Sequence, residues 1–169
     1  AVLWKHTGQL DALDTEDLLI DLFERSLIQL DQTIDEYDKV QRRFRLHDLL
    51  YDYARRACGD WKGLHAAMLE SYKAGCPEGW SSGLNDGYYF ENLAHHMASA
   101  ELWQKAEVLV TDFSWLMRKC GLGMLDSISY DYRMLKENAP GDVANRLDLW
   151  EAFFRERAHI LRRSDDEEW

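Results

Sequence analysis

Cysteine is scarce in this chain, and positive charge is in short supply. The three cysteines, Cys58, Cys76 and Cys120, are an odd number without metal-ligand spacing. They read as reduced thiols of a cytosolic protein. Cys58 and Cys120 lack the basic or histidine neighbour that activates a thiol, so neither reads as a nucleophile. Lys and Arg number 20 against 31 Asp and Glu, a net charge of −11. That balance opposes general nucleic-acid affinity, which depends on cations facing phosphates, and it opposes anionic membrane surfaces. No apolar run approaches the roughly 18 residues needed to span a bilayer, and no signal-peptide pattern opens the chain. No glycine-rich loop ends in Lys-Ser or Lys-Thr, so nothing here holds a triphosphate alone. No internal repeat has a fixed period.

What is present is globular. Hydrophobic residues make up 46% of the 169, with seven Trp and eight Tyr, enough to build one domain with a real core or two small ones. The opening Ala-Val-Leu-Trp starts in the middle of a pattern, as a piece of a longer protein would.

The most informative stretch is Arg43 to Arg55. Phe44 and Leu46 alternate with Arg43, Arg45 and His47, the period-two pattern of a half-buried strand. From Asp48 the period becomes helical: Leu46, Leu49, Leu50, Tyr53 and Ala57 share a face. Asp48 is expected to be the N-cap. His47 then stands at a strand end beside a helix N-terminus, where backbone amides favour an anion.

Upstream, residues 1–7 read as the end of a helix closed by Gly8. A helix opening at Asp14-Thr15-Glu16-Asp17 should bury Leu18, Leu19, Leu22 and Phe23. Ser26 to Asp31 alternates as a strand, residues 31–41 form a long polar hairpin loop, and strand 43–47 returns. Helix, strand, loop, strand, helix is the outline of a winged helix, or of a generic small α+β unit. DNA reading is opposed by the helix that would enter the groove, which carries Asp14, Glu16, Asp17, Asp21 and Glu24 against Arg25.

Beyond Asp48 the pattern is helical to the end. Gly59-Asp60 precedes a helix with Trp61, Leu64, His65, Met68 and Tyr72 on one face. A glycine-rich loop over 75–87 presents Trp80. Phe90, Leu93, Ala94, Met97 and Ala98 then follow amphipathic spacing. Later helices carry Ala106, Leu109, Val110 and Phe113, then residues 114–119, then Leu125, Ile128, Tyr132 and Leu135. The longest, after Pro140-Gly141-Asp142, carries Val143, Leu147, Trp150, Phe154 and Leu161. Residues 165–169 are an acidic tail that should fray. The expected fold is therefore mainly α: a partial winged helix with a β-hairpin over 1–58, an antiparallel helical array over 59–164, and the tail. Of the His95-His96 pair, adjacent helical positions point about 100° apart and cannot share a metal. Glu91 and His95, at i and i+4, could, but no third ligand is evident, so no metal site is expected. Trp80 and Trp169 are candidate exposed anchors.

Phe44-Arg45-Leu46-His47-Asp48-Leu49 resembles the Leu/Met-His-Asp motif that ends the winged-helix domain of AP-ATPases, or STAND ATPases, the signalling ATPases of the apoptotic protease-activating factor and plant resistance-protein type. Val2-Leu3-Trp4, the run from Leu18-Leu19 to Arg25-Ser26-Leu27-Ile28, Phe90 to Ala100 and Phe113-Ser114-Trp115-Leu116 fit the same order. The resemblance implies a winged helix that packs on a nucleotide-binding domain instead of reading DNA. It implies that His47 contacts the β-phosphate of bound ADP, with Asp48 as a structural cap. It further implies a helical arm joining the ATPase core to a sensor, commonly of WD repeats, and a homo-oligomer on activation. The fragment itself would be non-catalytic and hold no cofactor, ADP or ATP belonging to the parent. A freestanding helical interaction module is the alternative.

Overall fold

A computed structural model of the chain describes residues 8–34 and 40–163. Within them are eight α-helices and one two-stranded antiparallel sheet. The chain divides into two compact units between Trp61 and Lys62.

The first unit runs α1 (Ala12–Glu24), β1 (Ile28–Ile34), β2 (Val40–Leu46) and α2 (Asp48–Ala57). Helix α1 starts two residues before the expected Asp14. Asp11 is its cap, accepting from the amides of Leu13 (2.8 Å) and Asp14 (2.9 Å), and Asp14 returns a carboxylate to the Asp11 amide. This reciprocal capping satisfies amides that have no helical partner. The helix ends in a Schellman motif. Leu27 donates to the Leu22 carbonyl, Ser26 donates to that of Phe23, and Ser26 is left-handed at φ 57.

The strands pair Ile28 with Leu46, Leu30 with Phe44 and Gln29 with Arg45. They extend well into the span expected as a long loop, β1 to Ile34 and β2 from Val40. The expected buried stripes of this unit are only partly covered. Leu18 is 37% exposed, Phe23 45% and Leu49 84%, while Thr15 and Ile28 are buried. A two-stranded ribbon offers too little area to bury the apolar faces of two helices. The expected helix over 1–7, the Val2-Leu3-Trp4 likeness and the acidic tail lie outside the described residues.

The second unit is an array of α3 (Trp61–Lys73), a short 3₁₀ turn (Trp80–Ser82), α4 (Tyr89–Ser99), α5 (Trp103–Thr111), α6 (Phe113–Gly121), α7 (Leu125–Asn138) and α8 (Gly141–Arg163). Its core is continuous. Phe90, Leu93, Ala94 and Met97 of α4, Ala106, Leu109 and Val110 of α5, and Ile128, Tyr132 and Leu135 of α7 are almost fully buried, with Val143 and Leu147 of α8. These are the positions that helical periodicity singles out.

Three expectations shift. Phe113 belongs to α6, as its first residue after the Asp112 cap, and is 72% exposed instead of facing inward from α5. On α3 His65 is inward as expected and Leu69 joins it, whereas Leu64 is exposed. Trp80 is half-buried against the core, and its carbonyl accepts the Tyr89 hydroxyl at 2.7 Å, so it is part of the structure and not an exposed anchor.

That loop also fixes Gly83. Its backbone is ordinary, at φ −62, but a Cβ would fall on Cε1 and Cζ of the buried Tyr89 ring. The ring is held by its hydroxyl and by edge contact with Phe90. Gly83→Ala is therefore expected to cost about 1–3 kcal/mol through overpacking, seen as a lower urea midpoint with an unchanged slope.

Candidate functional site

His47 lies two residues beyond the Gln29–Arg45 pair, in the diagonal position from Gln29 on the same face of the ribbon. The Gln29 amide donates to His47 Nδ1 at 3.3 Å. An accepting Nδ1 leaves the neutral ring's proton on Nε2, which is then a hydrogen-bond donor. Phe23, Ser26, Ile28, Gln29, Leu30 and Asp31 line a shallow cleft with His47. The capping assignment is corrected. His47 itself occupies the N-cap position, its carbonyl accepting from Tyr51 N at 2.8 Å, and Asp48 is the first helical residue. The helical backbone starts one residue earlier than a cap at Asp48 requires. Asp48 therefore contributes a first-turn carboxylate to the dipole. The N-cap side chain makes no bond to the helix amides.

A second constellation escaped the sequence. His65 of α3 meets His96 of α4, Nδ1 to Nδ1 at 2.7 Å, and the Tyr88 hydroxyl meets His96 Nε2 at 2.9 Å. His95 stands edge-on to His65, ring centroids 5.6 Å apart, with its Nε2 3.4 Å from Ser99 Oγ. His65 and His96 are buried and His95 is exposed. Burial, reinforced by the neighbouring rings, pushes His96 down to about 4 and holds His65 below the usual imidazole range. His95, though exposed at its surface, is partly desolvated by its neighbours and is lowered as well. Sequence reasoning placed His65 and His95-His96 correctly on separate helices; their meeting is a matter of which helices pack, 31 residues apart. Among the described residues no group of three or more His, Cys, Asp or Glu is placed to hold a metal ion.

The third feature is an apolar cavity of about 280 Å³ between α5, α6, α7 and α8, lined by Phe113, Leu116, Met117, Trp150, Phe153 and Phe154 among others, with Arg157 the one charged residue on its wall. Trp150, expected in the core, is 40% exposed here.

Residues 61–168, from the first residue of α3 onward, match the family model described as the APAF-1 helical domain. The chain belongs to the Apaf-1 helical domain family. It is similar to human apoptotic protease-activating factor 1, with 27% identity over 124 residues. Those residues are 72% of this chain and 9% of that relative, so the chain spans about a tenth of the protein it matches. The Apaf-1-type helical domain holds both the histidine cluster and the apolar cavity, whereas His47 precedes the matched residues. As a helical domain of this type, residues 61–168 are a scaffold segment. No described helix is long and apolar enough to cross a membrane.

Proposed function

We propose that the chain is a regulatory and scaffold segment of an Apaf-1-like AP-ATPase. In this reading residues 1–58 are part of a winged helix that helps to hold the ADP-bound resting state of the parent. Residues 59–164 form the arm that links the ATPase core to a sensor domain, of WD repeats, in a cytoplasmic protein. Its partners are its own nucleotide-binding and sensor domains, with homo-oligomerisation on activation. The reading is carried by the match of residues 61–168 to the Apaf-1 helical domain. It is supported by the helix–hairpin–helix order immediately before that domain, and by a histidine at the ribbon end whose Nδ1 meets the Gln29 amide.

The mechanism is conformational. His47 donates to a phosphate oxygen of ADP held by the neighbouring domain, and loss of that contact biases the protein toward its open state. One charge-assisted hydrogen bond contributes about 1.5–3 kcal/mol, far below the roughly 8 kcal/mol of micromolar affinity. The contact therefore tunes nucleotide release without supplying the binding site. His47→Ala in the full-length protein is expected to speed ADP release about 10- to 150-fold, as 1.4 kcal/mol is a factor of ten. Stopped-flow release of a fluorescent ADP measures this, and an unchanged rate rejects the role of His47.

The alternative, a helical module that binds a separate protein partner, is favoured by the exposed apolar residues around the cavity, Phe113 and Phe153 above all. A parent reading frame with a phosphate loop upstream and WD repeats downstream separates the two readings in favour of the first.

A further inference from the structure

Helix α3 is fastened to the second unit by core packing and by polar and ring contacts. Leu69 is buried in the core, and Ala66 and Tyr72 pack partly against it. The Tyr72 hydroxyl donates to Asp86 at 2.7 Å, Lys62 reaches Glu101 at 2.6 Å, and His65 meets His96. The last of these differs in kind, because it fails once both rings are protonated. Two imidazole Nδ1 atoms 2.7 Å apart share a single proton: one ring donates N–H and the other accepts on its lone pair. The Tyr88 hydroxyl completes either arrangement, donating to His96 Nε2 when that nitrogen is bare and accepting from it when it is protonated. A first added proton can sit on the donor ring's Nε2 and leave this bond intact; a second, on the accepting Nδ1, removes the lone pair and sets two N–H groups against each other.

We propose that the His65–His96 pair is an acid-released clasp holding α3 onto α4. Titratable groups stand beside it on both helices. From α4 come His95, edge-on to His65, and Tyr88 just before the helix. From α3, one turn before His65, Lys62 is paired with Glu101 at the end of α4. The neighbouring histidines add positive charge as they protonate.

The chain also spends conformational strain at this junction. Glu101 takes the left-handed position of the Schellman motif that closes α4, at φ 56, with Leu102 donating to the Met97 carbonyl and Glu101 to that of Ala98. The equivalent position after α6 is Gly123, the residue that adopts this conformation without strain. A glutamate there keeps the ion pair to α3, a fastening that does not depend on the imidazoles.

The direction of the pH effect follows from depressed folded-state protonation. The unfolded or released imidazoles bind protons near the ordinary histidine value of 6.5, the clasped ones below it, His96 at about 4. The released state therefore binds more protons between about pH 6.5 and 4. The clasp is at full strength above that window and weakens as pH falls through it.

The test is amide hydrogen exchange on the complete 169-residue chain from pH 7.5 to 5.0, expressed as protection relative to the intrinsic rate at each pH. Protection of α3 is expected to fall below pH 6.5 by up to about tenfold per pH unit for each histidine that takes a proton, reversibly, while α7 keeps its protection. In His65→Leu/His96→Leu that dependence is expected to vanish. Glu101→Gln, which removes the ion pair, should lower α3 protection by the same factor at every pH. Should the double variant fail to fold, imidazole resonances of the unsubstituted chain decide: both rings should titrate below an exposed histidine, in step with α3 release. The proposal is overturned if α3 protection is flat over this range, if α3 and α7 lose protection together, if the double variant keeps the dependence, or if the rings titrate without any change in α3.

Discussion

Lys119→Met is expected to remove about 3–5 kcal/mol of stability, a loss large against the total of a domain this size. Lys119, near the end of α6, is fully buried, and its ammonium donates to Asp131 of α7 at 2.6 Å and to Ser127 at 2.8 Å. It also lies 5.8 Å from the centre of the Trp115 ring. Asp131 is buried too, and burial pushes its carboxyl up to about 6 against the downward pull of Lys119. Taking both charges from water costs about as much as their attraction returns, so the pair adds little net stability; removing one partner leaves the other buried without compensation. The companion variant makes that distinction. Lys119→Met/Asp131→Leu should recover to within about 1 kcal/mol of the starting protein, because two apolar groups can replace a buried pair. Urea unfolding of both variants checks it, and a single variant that loses under about 1 kcal/mol contradicts a buried, uncompensated carboxylate.

Trp115→Ala should cost a similar amount, about 3–5 kcal/mol. Its indole is 1% exposed and stacks tilted on Phe90 at 4.9 Å between centroids, with Tyr89 edge-on at 5.9 Å. The surrounding rings cannot collapse into the space, since the Tyr89 hydroxyl is tied to the Trp80 carbonyl and α4 is held by its own core face. A cavity therefore remains, and the loss combines transfer and cavity terms. Trp115→Phe keeps most of the ring volume and should lose less. Near-ultraviolet circular dichroism and thermal unfolding read the two together. Because Trp115 lies beside Lys119, its effect and that of Lys119→Met should not add, and a double-mutant cycle would give the coupling.

The helical half was legible because its signal is local. Phe90, Leu93, Ala94 and Met97 recur at helical spacing, and all four are buried. Ile128, Tyr132 and Leu135 follow the same rule. The strand-to-helix change at His47 was legible for the same reason, since a period of two gives way to 3.6 within a few residues. The cap position was displaced by one, because Asp is favoured both at an N-cap and in the first turn. Periodicity does not reveal whether a partner covers an apolar face. Leu18, Phe23 and Leu49 carry the pattern of buried residues and are partly or largely exposed, as are Phe113 and Trp150. Lys119 is the opposite case: a lysine in the last turn of a helix reads as solvated, and only a carboxylate from the next helix makes its burial tolerable.

By itself the sequence determined a mainly helical chain, a hairpin before it, the composition that opposes nucleic acid, and a histidine at the strand-to-helix junction. These follow from side-chain periodicity, turn residues and charge balance, all of which act over a few residues. Tertiary structure alone decided the Lys119–Asp131 pair, the Tyr89 ring over Gly83, the apolar cavity beside α8 and the meeting of His65 with His96. Each depends on two segments remote in the chain arriving at hydrogen-bonding or van der Waals distance. That arrival is set by how whole helices pack, and no local pattern encodes it.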